Sequence, residues 1–323
     1  MKIVCDDKIP FLRGVFEPYA EVVYLPGAAI TAADVRDADA LIVRTRTRCN
    51  CALLEGSSVR VIASATIGYD HIDTAWCSEH GIEWANAPGC NSGSVAQYIA
   101  SALKVLAERF DLDLGNTTFG IVGVGHVGGK VARVAQALGM RVLLNDPPRA
   151  AAEGPDGFVS LDDLIAGSDI ITLHVPLTSE THHLFDAGRL SQMRPDQILI
   201  NTSRGEVVDG EALKSALRAR RLAAAVLDVW EHEPDIDPEL AQLVEIATPH
   251  IAGYSQDGKA AGTTAAVRVV ATALGISALS DWSVRLPVAA GNDTYDVTRD
   301  SDALKSDLSS FEHLRESYPI RRE

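Results

Sequence analysis

The chain predicts an α/β protein built as two doubly wound domains, each a parallel sheet covered by helices. Three observations carry that expectation. Short apolar runs recur with helical stretches between most of them, the alternation a parallel sheet requires. One of those runs feeds a glycine turn, Gly123-Val-Gly-His-Val-Gly, that opens a helix. A length of 323 residues with 46% hydrophobic side chains suits two cores better than one.

The elements follow in order. Lys2-Ile-Val-Cys, Glu21-Val-Val-Tyr-Leu, Ala40-Leu-Ile-Val-Arg, Arg60-Val-Ile-Ala-Ser-Ala and Ile82-Glu-Trp-Ala-Asn read as the strands of a first sheet. From Ser94 to Arg109 apolar residues fall at three- and four-residue steps, which predicts a long helix bridging the domains. A second series begins with Phe119-Gly-Ile-Val-Gly-Val-Gly, followed by a helix from Val131 and the strand Arg141-Val-Leu-Leu-Asn-Asp. Asp169-Ile-Ile-Thr-Leu-His-Val-Pro, Gln197-Ile-Leu-Ile-Asn, Ala224-Ala-Val-Leu-Asp-Val and Glu245-Ile-Ala extend it. Ala260 to Leu279 reads as a helix returning to the first domain. After Asp281 the pattern weakens, and Ser301 to Glu323 is strongly charged and helical in character.

Composition excludes several function classes. A formal net charge of −15 argues against nucleic acid as a partner, because phosphates need a basic face. An anionic small molecule needs only a local cluster of arginines. No apolar run reaches the roughly 18 residues of a membrane span, and the N-terminus is charged too early for a signal peptide. The five cysteines (Cys5, Cys49, Cys51, Cys77, Cys90) are odd in number and lack metal-ligand spacing, so reduced thiols, a cytoplasmic location and no metal are expected. Cys90, in Pro88-Gly-Cys-Asn, reads as a small turn residue rather than a nucleophile.

The glycine turn has the context that makes such a motif informative: a strand before, a helix after, and a strand ending in an acid about 20 residues on. Gly123 permits the tight turn, Gly125 lets a pyrophosphate approach the backbone, and Gly128 lets helix and strand pack closely. His126 and Val127 lie within the turn, and the helix N-terminus offers free N–H groups to phosphates. Asp146 can accept from both adenosine ribose hydroxyls and would repel a 2′-phosphate, so NAD is expected over NADP; Arg149 works slightly against this. The structural alternative makes Asp146 a cap for Pro147-Pro148. Thr172, Thr202 and Ser203 are candidate lips of the cofactor cleft.

Three polar residues sit at or just past strand ends, where open parallel sheets bind ligands. They are Arg204 in Asn201-Thr-Ser-Arg-Gly, Glu233 in Trp230-Glu-His-Glu-Pro, and His250 in Thr248-Pro-His-Ile-Ala-Gly. Oxidising a 2-hydroxy acid needs a base near neutral pKa, which histidine supplies. A carboxylate would fix the imidazole tautomer, and spacing alone does not choose between Glu233 and Glu231. Arg204 can grip a carboxylate with two parallel bonds. His182 and His183 are read as solvated.

These residues resemble the D-2-hydroxyacid dehydrogenase family, in which a catalytic Arg, Glu and His occur in this order. Asp39-Ala-Asp-Ala-Leu-Ile-Val-Arg, Ala87-Pro-Gly-Cys-Asn, Leu144-Asn-Asp-Pro-Pro-Arg-Ala, Leu227-Asp-Val-Trp-Glu-His-Glu-Pro and Thr248-Pro-His-Ile-Ala-Gly-Tyr-Ser-Gln-Asp-Gly-Lys are similar to the branch that oxidises 4-phospho-D-erythronate with NAD in vitamin B6 biosynthesis. The resemblance implies Glu233 over Glu231, adds Asp228 and Gly253 to the cofactor site, and makes Thr45, Thr66 and Tyr254 substrate contacts. The family usually has serine where Thr45 stands. It also implies a Rossmann NAD domain, residues 98–253, inserted into a flavodoxin-like substrate domain, residues 1–97 and 254–282. Residues 283–323 would be a shortened dimerisation-like segment of a homodimer, with Tyr295-Asp-Val-Thr-Arg-Asp its recognisable part. Arg44, Arg46 and Arg48 could meet the phosphate of the substrate. Two alternatives stand beside this: another D-2-hydroxyacid dehydrogenase of phosphoglycerate or glyoxylate/hydroxypyruvate type, and an NAD(H)-sensing binding protein like the C-terminal-binding-protein corepressors.

Overall fold

The computed structural model describes residues 1–287, 295–319 and 321–323. Residues 288–294 and 320 of the expected C-terminal segment lie outside the described residues. The chain divides into two compact units. One comprises the described residues of Met1–Asn91, Ser255–Ala290 and Arg322–Glu323, the other those of Ser92–Tyr254 and Gly291–Arg321.

The first unit is built on five parallel strands: β1 (Lys2–Asp6), β2 (Glu21–Leu25), β3 (Ala40–Val43), β4 (Val61–Ser64) and β5 (Glu83–Ala85), in the order β2-β1-β3-β4-β5. That is the flavodoxin-like order, with the switch between β1 and β3. Alternation along each strand sends side chains to two separate cores. Ile3, Cys5, Ala40, Ile42, Val61 and Ala63 pack with Val267 and Val270 of the helix Gln256–Ala273. Val4, Leu41, Val43 and Ile62 face the opposite layer with Leu53 and Leu54. The returning helix was expected from Ala260 to Leu279. It starts earlier, where the Ser255 hydroxyl accepts from the Gly258 N–H, and ends at Ala273 ahead of Gly275, whose φ is +70°.

The second unit carries six parallel strands: β6 (Thr118–Val122), β7 (Arg141–Asn145), β8 (Ile170–Leu173), β9 (Ile198–Asn201), β10 (Ala224–Leu227) and β11 (Ile246–Ala247). Their order is β11-β10-β9-β8-β6-β7, so the chain reverses its march between β6 and β8. In a doubly wound sheet that is where a dinucleotide crosses. Beyond β7, Val159 donates its N–H to Leu144 O at 2.8 Å and accepts from Asn145 Nδ2 at 2.8 Å, closing the sheet edge without a further regular strand. The long helix runs Ser92–Phe110 and packs its Tyr98, Ile99, Leu103 and Leu106 on the Phe119, Ile121, Ile198 and Ile200 face.

The charged C-terminal residues are part of this second unit. Helix Val297–Ser306 packs beside β11, and Ala247 N–H donates to Ser301 Oγ at 3.1 Å. Val297 joins one core, and Leu304 and Phe311 join the other. No helix among the described residues is long and apolar enough to cross a membrane.

Candidate active site

The strand order lays out the predicted residues along one sheet edge. Asp146 follows β7, the glycine turn follows β6, and Thr172 ends β8. Arg204 follows β9, Glu233 lies beyond β10 and His250 beyond β11. Strands lie roughly 4.8 Å apart, so the five spacings from β7 to β11 span about 24 Å. One end of that edge is suited to a cofactor and the other to proton chemistry.

At the cofactor end the backbone supplies the chemistry. Gly123 has a φ of +86°, and a Cβ there would lie 2.6 Å from His174 O. A Cβ on Gly128 would run into the Gly123 carbonyl, so glycine is needed for helix and strand to touch. Gly125 differs: a Cβ would meet nothing within 4 Å. Protein packing does not demand glycine there, whereas close approach of a pyrophosphate to the backbone does. Helix His126–Ala137 starts at Gly125 with no side-chain cap, leaving its first N–H groups for an anion. His126 is exposed, Val127 half-buried and Gly128 buried. These features fit a dinucleotide.

Asp146 accepts from the Val124 N–H at 2.7 Å and caps helix Pro147–Glu153 through the Arg149 N–H at 3.0 Å. The capping alternative is therefore present in the structure, and it fixes the carboxylate against the glycine turn. Arg149 turns its guanidinium to Glu153, with contacts of 2.8 and 2.7 Å, and donates to Val124 O. That ion pair reduces its pull on an adenosine 2′-phosphate.

His174, which the sequence reading did not single out, links two expected cleft residues. Its Nε2 lies 3.1 Å from Thr172 Oγ1 and its Nδ1 3.3 Å from Thr202 Oγ1. Burial pushes its pKa down to about 3, so the ring is neutral and one nitrogen accepts while the other donates. Ser203 is held through both N–H and hydroxyl by Asn201 Oδ1, while Asn201 Nδ2 donates to Arg204 O at 2.8 Å. Asn201 thus shapes the loop that presents Arg204, whose Nη1 donates to Ser203 O at 2.7 Å. Gly205 admits no Cβ because the Trp230 backbone occupies that space.

The two candidate acids point apart. His250 Nδ1 lies 2.8 Å from Glu233 Oε2, while Glu233 Oε1 accepts from the Trp230 N–H at 3.0 Å. Glu231 instead meets His183 Nε2 at 2.8 Å and the Gly210 N–H at 2.9 Å. His183 is therefore a hydrogen-bonding partner of Glu231 with its ring 4.1 Å from that of His182, not the solvated residue expected. Glu233 is 18% exposed and His250 27%. Burial pushes the Glu233 carboxyl up, but the charge and hydrogen bond of His250, the charge of Arg315 and the Trp230 N–H together hold it below the usual range.

Asp228, 1% exposed, organises the His250 turn. Its carboxylate accepts from Thr248 Oγ1 at 2.7 Å, Ile251 N–H at 2.8 Å and Ala252 N–H at 2.9 Å, and its carbonyl accepts from the His250 N–H at 2.7 Å. His250 has a φ of +57°, a left-handed conformation that costs about 1–3 kcal/mol in a non-glycine residue. Four hydrogen bonds at about 0.5–1.5 kcal/mol each offset that strain. The resemblance placed Asp228 and Gly253 at the cofactor. These contacts of Asp228 serve the turn, and Gly253 follows it half-buried. Burial pushes the Asp228 carboxyl up, with His250, Thr248 and the turn N–H groups opposing.

Tyr254 closes the turn, its hydroxyl accepting from Arg315 Nε at 3.2 Å and its ring edge-on to Tyr318. In the first unit, Thr45 and Thr66 follow the adjacent strands β3 and β4. Thr45 is exposed, and the Thr66 hydroxyl lies 2.8 Å from Ser64 Oγ and donates to Gly68 O at 3.2 Å. Arg44 pairs with the fully buried Asp6 at 3.2 Å, whereas Arg46 and Arg48 are exposed. Cys90 carries a thiol pushed up to about 12 by burial, which removes it as a nucleophile.

The D-isomer specific 2-hydroxyacid dehydrogenase NAD binding domain matches residues 98–252. The chain is 51% identical to the erythronate-4-phosphate dehydrogenase of Bacteroides fragilis, across all of this chain and 97% of that protein. It is 43% identical to the one from Ectopseudomonas mendocina, across all of this chain and 93% of that protein. Among solved structures, the D-lactate dehydrogenase of Aquifex aeolicus, complexed with NAD and lactic acid, superposes with a TM-score of 0.74 at 27% identity, covering 89% of this chain and 100% of that one. The NAD+-bound 3-phosphoglycerate dehydrogenase of Entamoeba histolytica gives a TM-score of 0.72 at 26% identity, covering 88% and 99%. The chain belongs to the erythronate-4-phosphate dehydrogenase family, NAD-dependent enzymes built on the D-2-hydroxyacid dehydrogenase NAD-binding domain.

Proposed function

We propose that the chain oxidises 4-phospho-D-erythronate at C2 to (R)-3-hydroxy-2-oxo-4-phosphooxybutanoate, a step of vitamin B6 biosynthesis. The observation that carries this reading is the Glu233–His250 pair at 2.8 Å, in a chain 51% identical along its whole length to an erythronate-4-phosphate dehydrogenase. His250 takes the C2 hydroxyl proton at Nε2, the nitrogen left over when Nδ1 meets Glu233. Glu233 holds the tautomer and stabilises the imidazolium that forms. Arg204 binds the substrate carboxylate with two parallel bonds and polarises the C2 oxygen. NAD, when bound, accepts the hydride that leaves C2. Gly123, Gly125, His126, Val127 and Gly128 hold its pyrophosphate, Asp146 its adenosine ribose, and Thr172, Thr202, Ser203, Asp228 and Gly253 line the rest of its path.

Thr45, Thr66 and Tyr254 are the substrate contacts. For the phosphate, Lys259 joins the arginines after β3. Burial and the charge of Arg44 both lower its pKa, which an anion beside the two cations would reverse. We place the enzyme in the cytoplasm as a homodimer, a reading that light scattering of the purified protein would test. The functional test is steady-state kinetics on phosphoerythronate, D-glycerate and D-lactate with NAD and NADP. The highest kcat/KM is expected for phosphoerythronate with NAD, and Arg204→Ala should abolish most of it. Faster turnover of D-glycerate or D-lactate would overturn the substrate assignment.

A further inference from the structure

The C-terminal residues bring a cation to the acid–imidazole pair. Arg315, on the helix Phe311–Glu316, places Nη1 3.8 Å from Glu233 Oε2, the same oxygen that meets His250 Nδ1. Its Nε donates to Tyr254 Oη at 3.2 Å, and Nη1 lies 3.8 Å from Glu312. The side chain is only 17% exposed. Its helix is anchored through Phe311, 1% exposed, in the same core as Leu304. Two residues past the end of that helix, Tyr318 packs edge-on against Tyr254. Arg321 donates Nη2 to Ala252 O at 2.6 Å, on the backbone of the His250 turn. The segment that supplies these contacts is remote in sequence from every motif of the site.

We propose that Arg315 is a positioning residue for the reaction, locking the Glu233 carboxylate and the Tyr254 hydroxyl so that His250 is held in one orientation. The proposal rests on the reading of His250 as the base. Glu233 has Oε1 tied to the Trp230 N–H, and a cation beside Oε2 resists rotation of the carboxylate away from the imidazole. The charge also tunes the pair. Glu233 and the Asp228 carboxylate favour the imidazolium from their elements, and Arg315, itself partly balanced by Glu312, opposes it.

The test compares Arg315→Gln and Arg315→Lys with wild type and with the exposed control Arg299→Ala, using initial rates from pH 5 to 9 and NADH binding to confirm folding. Arg315→Gln should lower kcat about 10-fold or more with the KM for NAD unchanged, since positioned acid–base catalysis is worth roughly 100- to 10,000-fold in total. The acid limb of kcat/KM should move to higher pH, and Arg315→Lys should restore its position. Combined with Glu233→Gln, Arg315→Gln should add little, because residues acting through one another are non-additive. A wild-type rate in Arg315→Gln would overturn the proposal. So would a loss of rate with an unmoved pH profile and full additivity, or a raised substrate KM at unchanged kcat. If wild type oxidises a different hydroxy acid instead, the substrate reading fails, and the same comparison on that acid still decides the role of Arg315.

Discussion

The two ends of the second unit's sheet edge solve different problems with different material. Around β6 and β7 the site is made of backbone: glycines that admit close approach, an uncapped helix start and one carboxylate. Around β9 to β11 it is made of side chains that orient one another: Asn201 on Arg204, Asp228 on the His250 turn, Glu233 on His250 and Arg315 on Glu233. Binding a flexible dinucleotide tolerates a generic cradle. Moving a proton at one atom requires each group to be fixed by a second. The first region should therefore fail through affinity and packing, the second through rate.

The largest effect that would break this division is His250→Asn. Asparagine tolerates the left-handed φ of +57°, so the turn should survive. We expect kcat to fall about 100- to 10,000-fold while NADH affinity by fluorescence titration stays within about twofold. If NADH binding were lost as well, the two ends would not be separable. Next is Leu304→Ala, which removes a fully buried side chain from the core it shares with Leu227, Trp230 and Ala247. A cost of about 2–5 kcal/mol in denaturant unfolding is expected, and a cost near zero would mean the C-terminal helix is not part of that core.

The paired glycines sharpen the comparison at the other end. Gly128→Ala drives a Cβ into the Gly123 carbonyl and should destabilise the fold by about 1–3 kcal/mol or more. Gly125→Ala meets open space and has an ordinary φ of −76°, so its melting temperature should stay close to wild type while NAD affinity falls. Equal losses of stability in both would contradict the assignment of Gly125 to the ligand.

The same division decides what could be read from the chain. The cofactor end is a local motif of some two dozen residues, so strand, turn, helix and acid are all visible in one window. Even there Asp146 caps a helix, and spacing alone cannot rank that role against the expected ribose contact. At the β9 to β11 end, Arg204, Glu233 and His250 stand out because each follows an apolar run. The choice between Glu231 and Glu233 depends on which way two side chains two residues apart turn: Glu231 meets His183 and Gly210, and Glu233 meets His250. His174 had a signal, a histidine at the end of a strand beside the switch point. Arg315 had none: it lies some 80 residues beyond its partner in a charged stretch, and only the packing of Phe311 and Leu304 brings it back.

The smallest effect is a matter of pH, and it separates the two carboxylates that flank His250. Burial raises Glu233, but His250, Arg315 and the Trp230 N–H outweigh it, so the folded carboxyl sits below its ordinary value. Such a group contributes stability that is fully present above the unfolded glutamate value, about 4.3, and is lost as pH falls through the folded pKa. Asp228 is shifted the other way by its burial, so its contribution is present at low pH and is lost as pH rises through the raised value. Glu233→Gln removes the first effect and leaves the second. The stability gap between wild type and Glu233→Gln should be flat from neutral pH to about 5 and narrow below about 4, measured by urea unfolding in matched buffers. A gap that widened on acidification would mean that burial dominates Glu233 after all, and that neither His250 nor Arg315 holds its charge in place.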